Sequence, residues 1–163
     1  MKILYFGTQN SGKSSLAELH TLKLSSKTPY YIATYDNSFD DMAMEEKINN
    51  HKKQRANKFI VIEEPKELLS IVKPNNTYII DCISMWLFNN SDVCIEKILA
   101  DIEELSKIEA NIVFVLNDIS GGLVPVDKDS REFVKRSGLL GQKLAQLCDE
   151  VYEVKYGLKS KLK

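Results

Sequence analysis

The chain has 163 residues, enough for one domain with a proper core, and 44% hydrophobic against 28% charged residues is an ordinary globular composition. Its 22 basic and 23 acidic side chains nearly cancel to a net charge of −1, which excludes the electrostatic footprint of a dedicated nucleic-acid binder. Cys82, Cys94 and Cys148 are widely spaced with no C-x-x-C pair, which argues against a disulfide framework or structural zinc, and no apolar run approaches the roughly 18 residues of a membrane span, so a cytoplasmic protein without a transmembrane segment is expected.

Residues 3–6 are apolar and read as a first strand. Directly after them comes Gly7-Thr8-Gln9-Asn10-Ser11-Gly12-Lys13-Ser14, with the spacing G-x-x-x-x-G-K-[ST], and then a helix over about 13–25. Strand, glycine loop and helix in that order turn a motif into a mechanism. Gly7 and Gly12 permit backbone angles that a Cβ would forbid. The N–H groups of the loop then converge on phosphate oxygens at the positive end of the helix. Lys13 is expected to bridge the β- and γ-phosphates, and the Ser14 hydroxyl to ligate Mg²⁺.

A second strand follows at 30–33. Residues 41–54 read as a polar helix with Met44, Ile48, His51 and Arg55 on one face. The strand at 59–62 ends in Glu63-Glu64-Pro65, and a short helix is expected over 66–72, opening at the position that proline favours. The strand at 78–81 closes on Asp81, where a phosphate-loop protein keeps a carboxylate for Mg²⁺; an acid at a strand end can also be a solvated cap. Cys82 and Trp86 read as packing residues. An amphipathic helix is expected over 92–108, with Val93, Ile95, Ile98, Leu99, Ile102 and Leu105 at helical spacing. Residues 111–116 read as a strand buried on both faces, followed by a Gly/Pro loop over 119–128 suited to covering a substrate. Arg131 is a candidate phosphate contact or a surface arginine. A long helix over 130–147 and a last strand over 151–156 complete the pattern, and Lys155, Lys159, Lys161 and Lys163 read as a solvated basic tail.

Strands alternating with crossover helices predict an α/β fold: a mostly parallel sheet flanked by helices, in one P-loop NTPase domain of RecA-like architecture over residues 1–163. Function should gather at the C-terminal strand ends. Of the two histidines, His20 has no partner visible in the sequence. His51 lies on the inward stripe of its helix, where a hydrogen-bonded structural histidine and a functional one look alike.

Taken together, the motifs resemble a known family, the bifunctional adenosylcobinamide kinase / adenosylcobinamide-phosphate guanylyltransferase of cobalamin assembly. The likeness runs almost end to end. It begins with the phosphate loop, Tyr31-Ile32-Ala33-Thr34, and Met44-x-x-Lys47-Ile48-x-x-His51-x-x-x-Arg55. It continues through Glu63-x-Pro65, Asp81-Cys82-Ile83-x-x-Trp86-x-x-Asn89, and Asn117-Asp118-Ile119-x-x-Gly122-Leu123-Val124-Pro125 with Arg131 and Phe133. Gly138, Gln142, Ala145 and Gly157-x-x-x-Lys161 close it. The phosphate loop alone would identify only a superfamily; the histidine block and the Val-Pro loop make the match specific.

The resemblance implies an enzyme that phosphorylates adenosylcobinamide with a nucleoside triphosphate, ATP or GTP, in the presence of Mg²⁺. It would then take GMP from GTP onto His51 and pass it to the new phosphate. It gives His51 and Lys13 catalytic roles. It places Ala33, Thr34, Tyr35, Lys52, Lys53, Gln54, Arg55 and Glu63 around the guanine nucleotide, beside the loop residues 7–14, and Ser14 and Asp81 at the metal. Glu63 would accept N–H bonds from guanine or hold ribose hydroxyls. Arg55 and Lys13 would neutralise charge on the transferred phosphorus. A homo-oligomer is expected.

The sequence departs from the family pattern at Thr8, Asn10, Ala43, the longer stretch 35–43, Asn117-Asp118-Ile119-Ser120, Phe133-Val134-Lys135 and Gly141. Several of these changes fall in the later loop and helix, where the corrinoid or a neighbouring subunit would sit. The rival readings are a small-molecule P-loop kinase with a structural His51, and a nucleotide-binding protein without turnover.

Overall fold

A computed structural model describes residues 1–35, 57–119, 121–122 and 124–163. β1 (Lys2–Gly7) leads through the glycine loop into α1 (Lys13–Leu24), and β2 (Tyr30–Ala33) follows. Next come β3 (Ile60–Glu63), a single turn α2 (Leu68–Ile71), β4 (Thr77–Asp81) and α3 (Ile83–Asn89). α4 (Ile95–Lys107), β5 (Asn111–Asn117), α5 (Lys128–Leu147), β6 (Glu150–Lys155) and β7 (Leu158–Lys161) complete the order. The expected helix over 41–54 lies outside the described residues.

The strands form one sheet in the order β3-β2-β4-β5-β1-β6-β7, parallel throughout except for the antiparallel pair β6–β7. Two-residue alternation sends Ile3, Tyr5, Tyr31, Ile79, Val113 and Val115 to one face, where Ala17 of α1 meets them. Leu4, Ile32, Ile80, Ile112 and Phe114 turn to the other, against Leu68, Trp86, Ile98, Ile102, Leu140 and Leu144. The central strands are therefore covered twice, which is why they read as unbroken apolar runs. On α4 the stripe Ile98, Ile102, Leu105 is fully buried, each side chain contributing roughly 1.5–3 kcal/mol relative to exposure. Its outer face carries the Lys97–Asp101 and Lys107–Glu104 pairs, which solvent screens.

Four local features differ from the sequence expectation. The helix expected over 66–72 is confined to Leu68–Ile71, and ahead of it the Glu64 carboxylate accepts from the N–H groups of Lys66 and Glu67 at 3.0 and 2.8 Å. α5 begins earlier than expected because Asp127 caps it, accepting from the amides of Asp129 and Ser130. α3 was not expected at all. Its sequence Ile-Ser-Met-Trp-Leu-Phe-Asn is short and apolar on nearly every side, so it lacks the polar stripe that announces a surface helix. The basic tail is instead a paired strand. Tyr156 (φ 51°) and Gly157 (φ 78°) are both left-handed, the backbone of a two-residue hairpin turn whose twist matches its strands. Lys159 and Lys161 then lie over the Tyr152 ring, and Lys161 pairs with Glu150.

Among the described residues no helix is long and apolar enough to cross a membrane.

Candidate active site at the C-terminal edge of the sheet

Because the paired strands from β3 to β6 all run the same way, their C-terminal ends share one edge. The register sets Gly7 beside Asn117, and Ala33 between Asp81 and Glu63. The glycine loop rises from that edge. A Cβ on Gly7 would stand 2.3 Å from the Val154 carbonyl oxygen, so only glycine fits there. Gly12, at φ 91°, precedes α1 and turns the chain into it. Asn10 also takes a left-handed conformation, φ 60°, which asparagine tolerates better than most residues. The hairpin turn supports the loop from behind: the Gly157 amide donates to the Ser11 carbonyl at 2.8 Å.

Lys13 is only 6% exposed, and its ammonium donates to the Thr8 carbonyl at 3.1 Å. Burial pulls its pKa below the usual lysine value, and the Asp81 carboxylate opposes that shift. The Ser14 hydroxyl stands 3.4 Å from Asp81 Oδ1 and is oriented to donate to it, and the hydroxyl of buried Tyr31 donates to Asp81 Oδ2. Lysine, serine hydroxyl and carboxylate thus converge beside the loop from β1, α1 and β4. Among the described residues no group of three or more His, Cys, Asp or Glu side chains comes together as a protein-only metal cage. A Ser–Asp pair suits Mg²⁺, which is commonly held by one or two carboxylates with substrate phosphates and water. Cys82, next to Asp81, is a packing thiol, pushed up to about 11 first by burial and then by the Asp81 charge.

Of the expected base-side residues, Ala33, Thr34, Tyr35 and Glu63 are described and share this edge. Thr34 is fully buried. Its hydroxyl donates to the Cys82 carbonyl at 2.7 Å and accepts from the Cys82 amide at 3.1 Å. Its side chain is therefore committed to the strand ends beneath the surface, whereas Glu63 is exposed. His51, Lys52, Lys53, Gln54 and Arg55 lie outside the described residues. The Arg131 guanidinium donates to the carbonyls of Pro125 and Val126 and ties those two residues to the start of α5.

Sequence reasoning missed two groups of supporting residues. Asn89 donates to the carbonyls of Thr34 (2.7 Å) and Pro65 (3.1 Å), and Trp86 donates its indole N–H to Lys66 at 2.7 Å. Both residues stood in the family motif, but nothing in the chain said what they touch. On the face away from α1, a groove of about 450 Å³ runs between α5 and the sheet. Leu4, Phe6, Leu116, Gly138, Gly141 and Gln142 line it, and it reaches Asn117 and Asp118 at the site's edge. This is the later helix that sequence alone assigned to the corrinoid or a neighbouring subunit.

Residues 3–162 match the family described as cobinamide kinase / cobinamide phosphate guanyltransferase. The chain is 30% identical to the bifunctional adenosylcobalamin biosynthesis protein CobP of Pseudomonas aeruginosa, over all of this chain and 98% of that one. It is 28% identical to the bifunctional adenosylcobalamin biosynthesis protein CobU of Escherichia coli, with both chains covered in full. In fold it is similar to the flagellar accessory protein FlaH of Methanocaldococcus jannaschii, with a TM-score of 0.55, 16% identity, and 99% of this chain and 77% of that one covered.

Proposed function

The chain belongs to the cobinamide kinase / cobinamide phosphate guanyltransferase family, and from that membership we propose that it performs both reactions on adenosylcobinamide. A nucleoside triphosphate, ATP or GTP, first gives its γ-phosphoryl group to the hydroxyl of the aminopropanol arm. GTP then gives GMP to that phosphate, yielding adenosylcobinamide-GDP. The observation that carries the reading is the family match across residues 3–162.

For the first reaction, the support lies in the described residues. The loop amides and the Lys13 ammonium would hold the phosphates, and Lys13 would offset charge gathering on the transferred group. Its burial gives that charge a surrounding of low dielectric, where it acts more strongly than in water. Ser14 and Asp81 would hold Mg²⁺, which when bound would withdraw charge from the phosphates. Tyr31 fixes the Asp81 carboxylate from the side away from Ser14.

For the second reaction we assign the nucleophile to His51. A neutral imidazole nitrogen attacks the α-phosphorus of GTP, a P–N bond forms and pyrophosphate leaves. An oxygen of the cobinamide phosphate then attacks the same phosphorus, the P–N bond breaks and the imidazole is restored. Ala33, Tyr35, Lys52, Lys53, Gln54, Arg55 and Glu63 would line the guanine nucleotide, with Thr34 pinning that edge from below. We further propose a cytoplasmic homo-oligomer.

The test is incubation with α-labelled GTP and Mg²⁺. The expected product is a labelled protein that loses its label in acid, resists hydroxylamine, and is absent from His51→Ala, while that variant still phosphorylates cobinamide. Phosphorylation without any adduct in the unaltered protein would leave a kinase alone. Nucleotide binding with neither reaction would leave a protein without turnover.

A further inference from the structure

Asn89 closes α3, eight residues after Asp81, the last residue of β4. Its side-chain amide has two N–H donors. The nitrogen reaches the Thr34 carbonyl past the end of β2, at 2.7 Å, and the Pro65 carbonyl past the end of β3, at 3.1 Å. Two residues of one helix face thus hold the same connection, since Trp86, one turn earlier, binds the carbonyl of Lys66. Among the described residues β3 is an edge strand, paired with β2 alone. Beyond that pairing, the stretch carrying Glu63 is tied to the edge by the Glu64 amide donating to Ala33 at 3.0 Å and by these α3 side chains. Thr34 itself is locked to Cys82 through its hydroxyl. The result is a frame in which Asn89 sets the span between Ala33–Tyr35 on one side and Glu63 on the other.

We infer that Asn89 is a positioning residue for the base side of the bound guanine nucleotide, holding the β2 and β3 ends at a fixed separation through Thr34 and Pro65. This rests on the proposed reading that Ala33, Tyr35 and Glu63 line that nucleotide. The phosphate side is built from other elements, the glycine loop, α1 and the Asp81 end of β4, so the two halves of the site should respond differently to a change at Asn89. Replacing an amide that serves two carbonyls removes both bonds at once. A carboxylate of the same shape would turn oxygens toward those two carbonyls and push the strand ends apart.

The experiment compares the affinities of Mg·GTP and of magnesium inorganic triphosphate, measured calorimetrically on the full chain. Asn89→Ala is expected to weaken GTP at least tenfold and to leave inorganic triphosphate within twofold, because the latter has no base or ribose for the β2 and β3 ends to hold. If a thermal scan shows Asn89→Ala unfolded, the isosteric Asn89→Asp carries the test by the same criterion. Equal losses for both ligands would mean general damage and would overturn the inference, as would no loss for either. Glu63→Ala separates the two levels. If Glu63→Ala weakens GTP and the Asn89 variants do not, the role of Asn89 fails alone. If Glu63→Ala leaves GTP affinity unchanged, the base lies elsewhere, and both the nucleotide placement and the role given to Asn89 fall.

Discussion

Lys13 carries its charge in a nearly closed position, with a backbone carbonyl as its recorded hydrogen-bond acceptor and Asp81 as its electrostatic counterweight. A charge-assisted bond to phosphate in such a place contributes about 1.5–3 kcal/mol. Lys13→Ala should therefore lower triphosphate affinity roughly ten- to hundredfold and depress both transfers, as measured by calorimetry and by labelled-phosphate transfer. Gly7 is less forgiving. In Gly7→Ala the added methyl meets the Val154 carbonyl, a backbone group near the C-terminal end of β6, so either the loop or the strand must shift. Triphosphate binding should be lost even where circular dichroism still reports a folded chain.

His20 makes a prediction of another kind. Its Nδ1 lies 2.9 Å from the Tyr5 hydroxyl, and its ring meets those of Tyr5 and Tyr152 edge-on. Burial depresses its pKa, Lys159, Lys23 and Lys161 add to that, and Glu150 opposes them. The folded protein thus binds this proton less readily than the unfolded chain, whose histidine titrates near 6.5. Stability should be unaffected by His20 above about pH 6.5 and should fall as the pH drops below it, toward the lowered folded value. Urea midpoints between pH 7.5 and 5 should show that decline in the unaltered protein, and a smaller one in His20→Gln.

At the scale of elements, α5 contains two glycines, Gly138 and Gly141, in a helix of 20 residues. A Cβ at Gly138 would meet nothing within 4 Å, whereas one at Gly141 would come within 3.2 Å of Leu116. Gly138→Ala should stabilise the helix by about 1 kcal/mol. That raises the melting temperature by roughly 2–4 °C in a domain of this size, as calorimetry would show. Gly141→Ala should gain less, because Leu116 must give way.

The same elements show how much of the molecule was legible in its sequence. The parallel strands were readable because each is a short apolar run doubly covered in the core. The phosphate loop was readable because its whole mechanism is contiguous, eight residues in a row. α3 was not, since a seven-residue helix packed on most sides has neither length nor periodicity to distinguish it. β7 was not, since Lys-Ser-Lys is poor strand sequence and its pairing depends on β6 and on a Tyr-Gly turn rather than Asn-Gly. The bonds from Asn89 to Thr34 and Pro65, and from Tyr5 to His20, join residues far apart or on different elements. Local pattern has no access to such pairs, so the glycine loop was visible early and the bonds that brace its surroundings were not.

For the whole molecule, the strand order puts β1 between β5 and β6, so the first strand waits for partners made more than a hundred residues later. Parallel, non-local pairing of this kind costs loop-closure entropy before it returns any contact, and folding on the millisecond-to-second scale is the expectation. The only tryptophan in the sequence, Trp86, is 2% exposed against the core, which makes its fluorescence a reporter of α3 docking. In stopped-flow refolding from urea, fluorescent nucleotide binding should appear with or after the slowest tryptophan phase and never before it.

The bond between Gly157 and Ser11 also has a meaning in time. A ribosome releases Ser11 long before Gly157, so during synthesis the loop has no such brace until the β6–β7 hairpin has emerged behind it. A nascent chain lacking that hairpin would carry the glycine loop with its Ser11 carbonyl still open to water.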